Sequence, residues 1–363
     1  MKQLELQQEG KSNISPIPPV LPPFASRNDR VGKYLKRYLK LFVFDEFSPK
    51  FVNSMKNMEY MTGVPIPLRK EDVEAFQGGS GLKVLHIAEN MAWIMGIDPN
   101  FRYVPEYVRF MNQFFNYKIL EGLVKEGRNA AEDGDLDNAL IHFRAALVLK
   151  PDYIHAMYSY ARACREKYLH AEKESVVGNY KAEAMEYFEH LTMVHPRFTQ
   201  GYYYLGYAYL NMGLYIKASL TWQEYMKKSR HFKDRREISQ RLKQIQQPTV
   251  IEQGCNSVLA GRWEEGIATL EPFMETEFKT WWPMSYYLGV AYARTGNNSQ
   301  AIASLKRALS YNSSHVESMQ ELAEIYAGSK DKENEKKYRS KAELVLANSE
   351  KTRQESNEEE SDQ

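Results

Sequence analysis

The sequence predicts an all-α chain: a solenoid of about five helix–turn–helix repeats with a degenerate capping repeat, preceded by an N-terminal helical cap. Three observations carry this. The stretch from Tyr286 to Leu309, YYLGVAYARTGNNSQAIASLKRAL, reads as two short amphipathic helices. Leu288 and Tyr292 lie one turn apart on one helix face, and Ala301, Leu305 and Ala308 share a face of the next. Gly289 falls inside a helix, where glycine costs about 1 kcal/mol relative to alanine, so its presence points to close packing by a neighbour. Gly296 separates the helices and can take the positive φ that ends one.

The same spacing recurs through the C-terminal two thirds. Gly127, Gly134, Ala139, Phe143 and Ala146 reproduce it. So do Gly206, Gly213, Ala218, Trp222 and Tyr225, and Gly254, Gly261, Gly266, Leu270 and Phe273. A further copy is split, with Ala161 before and Ala184, Phe188 and Leu191 after an insertion at 166–179 that extends the helices or makes a protruding loop. Leu322, Ala323 and Tyr326 open a last, degenerate copy. The pattern resembles the tetratricopeptide repeat (TPR), a helix–turn–helix of 34 residues with Leu-Gly, Tyr, Ala, Phe, Ala and a closing Pro. Leu205-Gly206 with Tyr209, Leu288-Gly289 with Tyr292, and the closing Pro151 and Pro196 carry the resemblance, which covers Leu120 to Leu346. It implies a curved stack whose first helices line a concave side.

Taken in order, residues 1–29 read as a disordered Pro-rich tail, with Pro19 and Pro22 in PxxP spacing. Residues 30–117 read as the helical cap that shields the end of the solenoid. Within it Val31 to Phe44 has an amphipathic helical stripe of Val31, Tyr34, Leu35, Tyr38, Leu39 and Phe42, backed by Lys33, Lys36, Arg37 and Lys40. Ser48-Pro49 starts a helix running to about Met61, and TGVPIPL breaks it. A short helix near Arg69 to Phe76 is followed by Gly78-Gly79-Ser80-Gly81, which lacks the Lys-Ser/Thr and preceding strand of a phosphate loop. Leu82 to Met95 is a strongly apolar helix ended by Gly96, and Phe101 to Tyr117 is an aromatic segment with Pro105 near a helix start. Repeats occupy 118–346, interrupted by a basic extra helix at 227–247 on which Ile238, Leu242 and Ile245 have helical spacing. Residues 347–363 are polar and acidic and read as a disordered tail.

Composition narrows the function. In 363 residues the net charge is +1, so bulk electrostatics favours neither nucleic acid nor an acidic surface. Two cysteines in different repeats, Cys164 and Cys255, do not form a disulfide framework, and no apolar run reaches the length of a spanning helix; the expected location is cytoplasmic. Neither His86, alone on its helix, nor the pair His190 and His195 has metal-ligand spacing, and no nucleophile elbow or dinucleotide fingerprint occurs. No cofactor and no catalysis are expected.

In this register the inward positions of the first helices include Val124, Arg128, His155, Tyr158, Arg162, Arg165, Gln200, Tyr203, Tyr207, Ile251, Cys255, Tyr286 and Val290. Arg128, Tyr158, Arg162, Arg165, Tyr203, Tyr207 and Tyr286 are the candidate partner-binding residues, since Tyr and Arg are frequent hot-spot residues and Arg pairs with carboxylates. Tyr209 and Tyr292 read as packing. Some family members hold acidic chaperone tails in a clamp of Lys and Asn; at the matching positions, Val124, Arg128, Ser159, Gln200 and Tyr204, only Arg128 is cationic and no Asn occurs, so the clamp is not implied. The first functional reading is an adaptor that captures a protein segment on the Tyr/Arg face. The second is binding of nucleic acid or an anionic surface through Lys227, Lys228, Arg230, Arg235 and Arg236. The third seats a ligand sensor or enzyme in the cap. Self-association through repeat edges is compatible with all three.

Overall fold

The computed structural model describes residues 29–77, 82–115 and 118–361. The Pro-rich segment before Asp29 and the glycine cluster at 78–81 lie outside the described residues. The chain divides into two compact units, residues 1–211 with 224–229, and residues 212–223 with 230–363.

The first unit opens with a strap. Asp29 accepts from the backbone N–H groups of Val31 (3.2 Å) and Gly32 (2.8 Å), starting the short helix α1 (Gly32–Leu35). A 3₁₀ turn follows, and the chain then becomes a strand, β1 (Phe42–Glu46). The expected single helix from Val31 to Phe44 is therefore cut short. The cause is non-local: the TGVPIPL stretch, expected as a mere break, supplies the antiparallel partner β2 (Pro65–Arg69), in register Phe42 opposite Arg69. Aromatic and β-branched residues at Phe42-Val43-Phe44 suit that pairing. Between the strands, Ser48 Oγ caps α2 (Pro49–Ser54) by accepting from Phe51 N–H at 3.2 Å, with Pro49 in the first turn.

After α3 (Val73–Gln77) comes α4 (Val84–Ile97), which buries Ile87, Ala88, Met91, Ala92, Ile94, Met95 and Ile97. Gly96 does not end this helix. A Cβ there would stand 2.1 Å from the Ile141 carbonyl oxygen, so the glycine is a point of backbone contact with the first repeat. Then α5 (Val104–Phe115) leads into the paired helices, α6 (Lys118–Glu132) with α7 (Leu136–Leu149) and α8 (Ile154–His170) with α9 (Glu174–Val194), followed by α10 (Thr199–Asn211); the next helix, α11 (Tyr215–Lys228), is divided between the two units at residue 224. The insertion at 166–179 lengthens both α8 and α9 and leaves only a short connection. Ala161, Ala184, Phe188 and Leu191 are buried as the split copy requires.

The strap is held by charge as well as by Val31 and Leu35, both fully buried. Arg144 on α7 has no exposed surface; its Nη1 donates to Asp29 (3.0 Å), its Nη2 pairs with the same carboxylate, and its Nε donates to the Gly96 carbonyl at 2.6 Å. Arg30 reaches Glu186 (2.6 Å) and Glu183 (3.3 Å) on α9, and Tyr160 donates to Glu183 at 3.1 Å. Asp137 on α7 takes Arg37, Tyr38 (3.0 Å) and Lys167. The Tyr34 ring stacks on Tyr180 at 5.4 Å. The strap thus crosses the second helices of the first two pairs.

The second unit contains the extra helix α12 (Phe232–Gln244), then α13 (Gln246–Leu259) with α14 (Trp263–Leu270), α15 (Trp282–Arg294) with α16 (Asn298–Tyr311), and α17 (Val316–Gly328) with α18 (Lys332–Ser361). Pro272 lacks an N–H, and the chain leaves α14 in two 3₁₀ turns rather than completing a full second helix. The core runs through Ile251, Leu270, Met284, Leu288, Leu305, Met319 and Leu322, each side chain gaining roughly 1.5–3 kcal/mol on leaving water. The stretch after Leu346, expected to be disordered, continues α18 through Ser361. Residues 346–351 are exposed on it, so strong helix formers such as Ala347, Glu350 and Lys351 sustain a helix without a buried apolar face.

One contact repeats across both units. A Cβ on Gly127 would stand 2.5 Å from Phe143, on Gly254 2.7 Å from Leu270, and on Gly289 2.6 Å from Leu305. The first helix approaches its partner through a residue without a side chain, as the recurring interior glycine predicts.

Candidate functional site

In the first unit, the first helices α6, α8 and α10 bring six of the seven predicted binding residues into one connected surface. Arg128 on α6 is exposed and its Nε donates to Ser159 Oγ on α8 at 3.3 Å. Next to Ser159, the Tyr158 ring meets Phe198 edge-on at 5.1 Å and Tyr204 at 5.8 Å. Burial, with the neighbouring Tyr204 next, pushes the Tyr158 phenol up to about 12, against the opposing pull of Arg162. The Arg162 guanidinium is exposed and lies over both rings, 5.7 Å from Tyr158 and 5.4 Å from Tyr204. Arg165 lies 5.9 Å from the same Tyr204 ring and pairs through Nη1 with Glu166 at 2.7 Å, while its buried Nε has no hydrogen-bond partner. Tyr203 packs against Tyr204, Tyr207 and Tyr225 at 5.0–5.6 Å. A cavity of about 330 Å³ opens beside this surface, lined by Arg128, Tyr158, Ser159 and Arg162 over Phe143 and Leu136.

The hub of the cluster is Tyr204, whose ring stacks on Phe188 at 5.6 Å and 10°. In the sequence Tyr204 stands out only as a position of the absent clamp. The spacing signal was available: Tyr204 lies one residue from Tyr203, and a one-residue shift of register moves it to the site. Val124, Ile251 and Cys255, read as inward-facing, are 4 %, 0 % and 9 % exposed and belong to the core. Both packing tyrosines behave as read: Tyr209 donates to Glu189 and Tyr292 to Glu271 (2.9 Å), each with its ring buried.

Tyr286 belongs to the second unit and joins a different cluster. Its ring meets His315 at 4.7 Å and 73°, and His315 lies 4.4 Å from the Trp282 ring. Burial pulls the His315 pKa down, although Glu317 opposes it. Arg294 closes that side of α15 with two hydrogen bonds to Glu321, of 3.1 and 2.8 Å.

The basic segment is divided. Lys227 and Lys228 end α11 in the first unit, Lys227 paired with Glu224 (2.6 Å) and Lys228 over the Tyr202 ring at 5.4 Å. Arg230, Arg235 and Arg236 belong to the second unit, where Arg230 and Arg236 are exposed and Arg235 is half-buried on α12. The helix itself packs through Ile238, which is fully buried. His86 is exposed, and among the described residues no group of three or more His, Cys, Asp or Glu side chains is placed to hold a metal ion. Among those residues no helix is long and apolar enough to cross a membrane. Cys164 and Cys255 are both buried thiols.

Residues 284–315 match the family described as Tetratricopeptide repeat. No curated protein matches the chain. Among solved structures the chain is similar to MamA, with 15% identity over 64% of this chain and 95% of that one and a TM-score of 0.25. It is similar to the TPR domain of P58(IPK), with 19% identity over 67% of this chain and 66% of that one and a TM-score of 0.37. It is also similar to YrrB, described as a TPR protein with an unusual peptide-binding site, with 17% identity over 55% and 89% and a TM-score of 0.30.

Proposed function

We propose that this chain, whose residues 284–315 match the tetratricopeptide repeat, is a non-catalytic adaptor of that repeat class that captures a segment of another protein on the α6–α8–α10 face. The observation that carries this reading is the exposed Arg162 guanidinium lying across the Tyr158 and Tyr204 rings. A ring pair under a cation gives a flat, rigid contact area that loses little entropy on binding. With Arg128 one helix away, the face suits a segment that presents a carboxylate beside an apolar side chain. Glu166 engages Arg165, which leaves Arg128 and Arg162 as the cations that face a partner. Two buried thiols fit a reducing, cytoplasmic setting.

The test is capture from lysate by the full chain, compared with an Arg128→Ala/Arg162→Ala variant. Both side chains are exposed, so the variant's melting temperature should stay within a degree or two of the parent, surface changes being worth about 0.5 kcal/mol or less. Loss of the captured proteins at unchanged stability supports the reading. Identical capture by both chains rejects it.

A further inference from the structure

The extra helix α12 presents one coherent face to solvent. At 3.6 residues per turn, Phe232, Lys233, Arg236, Gln240 and Lys243 fall within about 100° of one another around its axis, and all five are exposed. The apolar residues that hold the helix down lie elsewhere: Ile238 and Ile245 are buried and Leu242 is half-buried. Asp234 and Glu237 are half-buried and fall off the exposed face, with Asp234 2.9 Å from His231 Nδ1. Arg235 and Arg241 are half-buried as well. The face therefore carries three cations and no carboxylate, and the exposed Arg230 adds a fourth cation just before the helix. From Phe232 to Lys243 it runs about 16 Å along the axis.

Phe232 is the anomaly on this face. It is 79 % exposed, more than any other large apolar side chain among the described residues. Leaving a whole ring in water is unfavourable, and here the ring stands among Arg230, Lys233 and Arg236. A single-stranded polynucleotide uses both features, because its unpaired bases stack on an aromatic ring while its phosphates meet Lys and Arg. A duplex keeps its base faces stacked inside and offers the ring nothing. A bilayer needs several apolar groups on one helix face, and Phe232 is the only one on this face. An acidic peptide segment would pair with the cations, but its carboxylates have no use for an exposed ring.

We infer that α12 binds single-stranded nucleic acid, with a base stacked on Phe232 and the phosphates running along Arg230, Lys233, Arg236 and Lys243. Gln240, on the same face between two of the cations, offers an amide donor and acceptor to a base edge. The near-zero net charge of the chain, +1, does not oppose this, because salt screens charges beyond about 8–10 Å and the strand responds to the local face. The site is separate from the α6–α8–α10 face and does not depend on what that face captures.

The experiment adds the full chain to fluorescently labelled oligouridylate and oligothymidylate and reads anisotropy. The thymidylate–adenylate duplex, polyglutamate and phosphatidylserine vesicles serve as competitors. At least one single strand should bind saturably, with a Kd that rises roughly 20- to 50-fold between about 50 and 200 mM salt, as three or four phosphate contacts require. Phe232→Ala should weaken binding at least about fivefold, the loss of one stacked base, and Phe232→Trp should restore it. Lys233→Gln/Arg236→Gln/Lys243→Gln should flatten the salt dependence to about threefold. All of these side chains are exposed, so each variant should melt as the parent does. Arg128→Ala/Arg162→Ala should bind the strand unchanged, which keeps this site distinct from the adaptor face. Tighter binding of the RNA or of the DNA strand identifies the sugar and supports the inference either way. The inference is overturned if neither strand saturates below about 100 μM. It is also overturned if the duplex, polyglutamate or the vesicles compete as well as unlabelled single strand, or if Phe232→Ala binds like the parent.

Discussion

The turns between paired helices differ at one residue. After α15 the N–H of Asn297 reaches back to the Tyr292 carbonyl at 2.8 Å and that of Gly296 to Ala293 at 3.1 Å, closing the helix in a Schellman arrangement with Gly296 at φ +82°. Gly134, Gly213 and Gly261 take the same sign of φ, from +72° to +83°. After α17 the same pair of bonds forms, Asp331 to Tyr326 at 2.9 Å and Lys330 to Ala327 at 3.0 Å, but the left-handed position is Lys330, at φ +60°. A side chain in that conformation costs about 1–2 kcal/mol, part of which glycine returns as lost chain entropy. Lys330→Gly is therefore expected to raise stability by about 0.5–1 kcal/mol in urea melts; an unchanged or lower midpoint would show that Lys330 is not strained. The degeneracy of the last copy was legible here, since Lys330 stands 34 residues after Gly296.

Between elements, one substitution should act with opposite signs at two helical glycines. Gly289→Ala would drive a Cβ to within 2.6 Å of Leu305 and force α15 and α16 apart; overpacking of this kind costs on the order of 1–3 kcal/mol. Gly178→Ala on α9 meets nothing within 4 Å, so the better helix former should add about 0.5–1 kcal/mol. Parallel thermal melts decide it, and equal shifts would mean that the close contact does not govern the repeat. The paired helices were legible because their contacts are local, with glycine and its large apolar partner sixteen residues apart. The β1–β2 pair was not, because it joins residues about twenty or more positions apart, from Glu46 with Pro65 to Phe42 with Arg69, and includes two prolines that read as breakers. Gly96 was misread for a similar reason: a glycine at a helix end and one pressed on a distant carbonyl look alike in sequence. At the candidate face the sequence points to Tyr158, Tyr203 and Tyr207 but not to Tyr204, which joins their rings through non-local contacts with Phe188 and Tyr158, nor to the burial of Val124.

At the scale of the whole molecule, acid should weaken the first unit through its carboxylates. Burial works to raise the Asp29 pKa, but its hydrogen bonds and ion pair with Arg144, and the backbone N–H groups of Gly32 and Val31, bring it below the usual value of 3.8. Asp137 is likewise lowered against burial, by Lys167, Tyr38 and Arg37. A carboxylate whose folded pKa is depressed adds stability above its unfolded pKa and loses it as pH falls through the folded one. Unfolding free energy should thus drop between about pH 4 and pH 2, and the drop should be shallower in an Asp29→Asn/Asp137→Asn variant. Equal slopes in urea titrations of the two proteins would remove these carboxylates from the acid limb. None of this network was readable beforehand, because a buried Arg144 in an Ala-Leu helix has no local signature, and its partner Asp29 falls at the edge of a segment that reads as a tail.

The strap has a consequence for the order in which the protein is made. Arg30 meets Glu183 and Glu186 across 153 and 156 positions of sequence. During synthesis, at roughly 5–20 residues per second, Arg30 leaves the ribosome many seconds before either glutamate exists. The paired helices can close one after another as they emerge, each on its nearest neighbour. The strap must wait, with Val31 and Leu35 uncovered, until α9 has been delivered. The earliest part of the described chain therefore docks only after the second helix pair has been made.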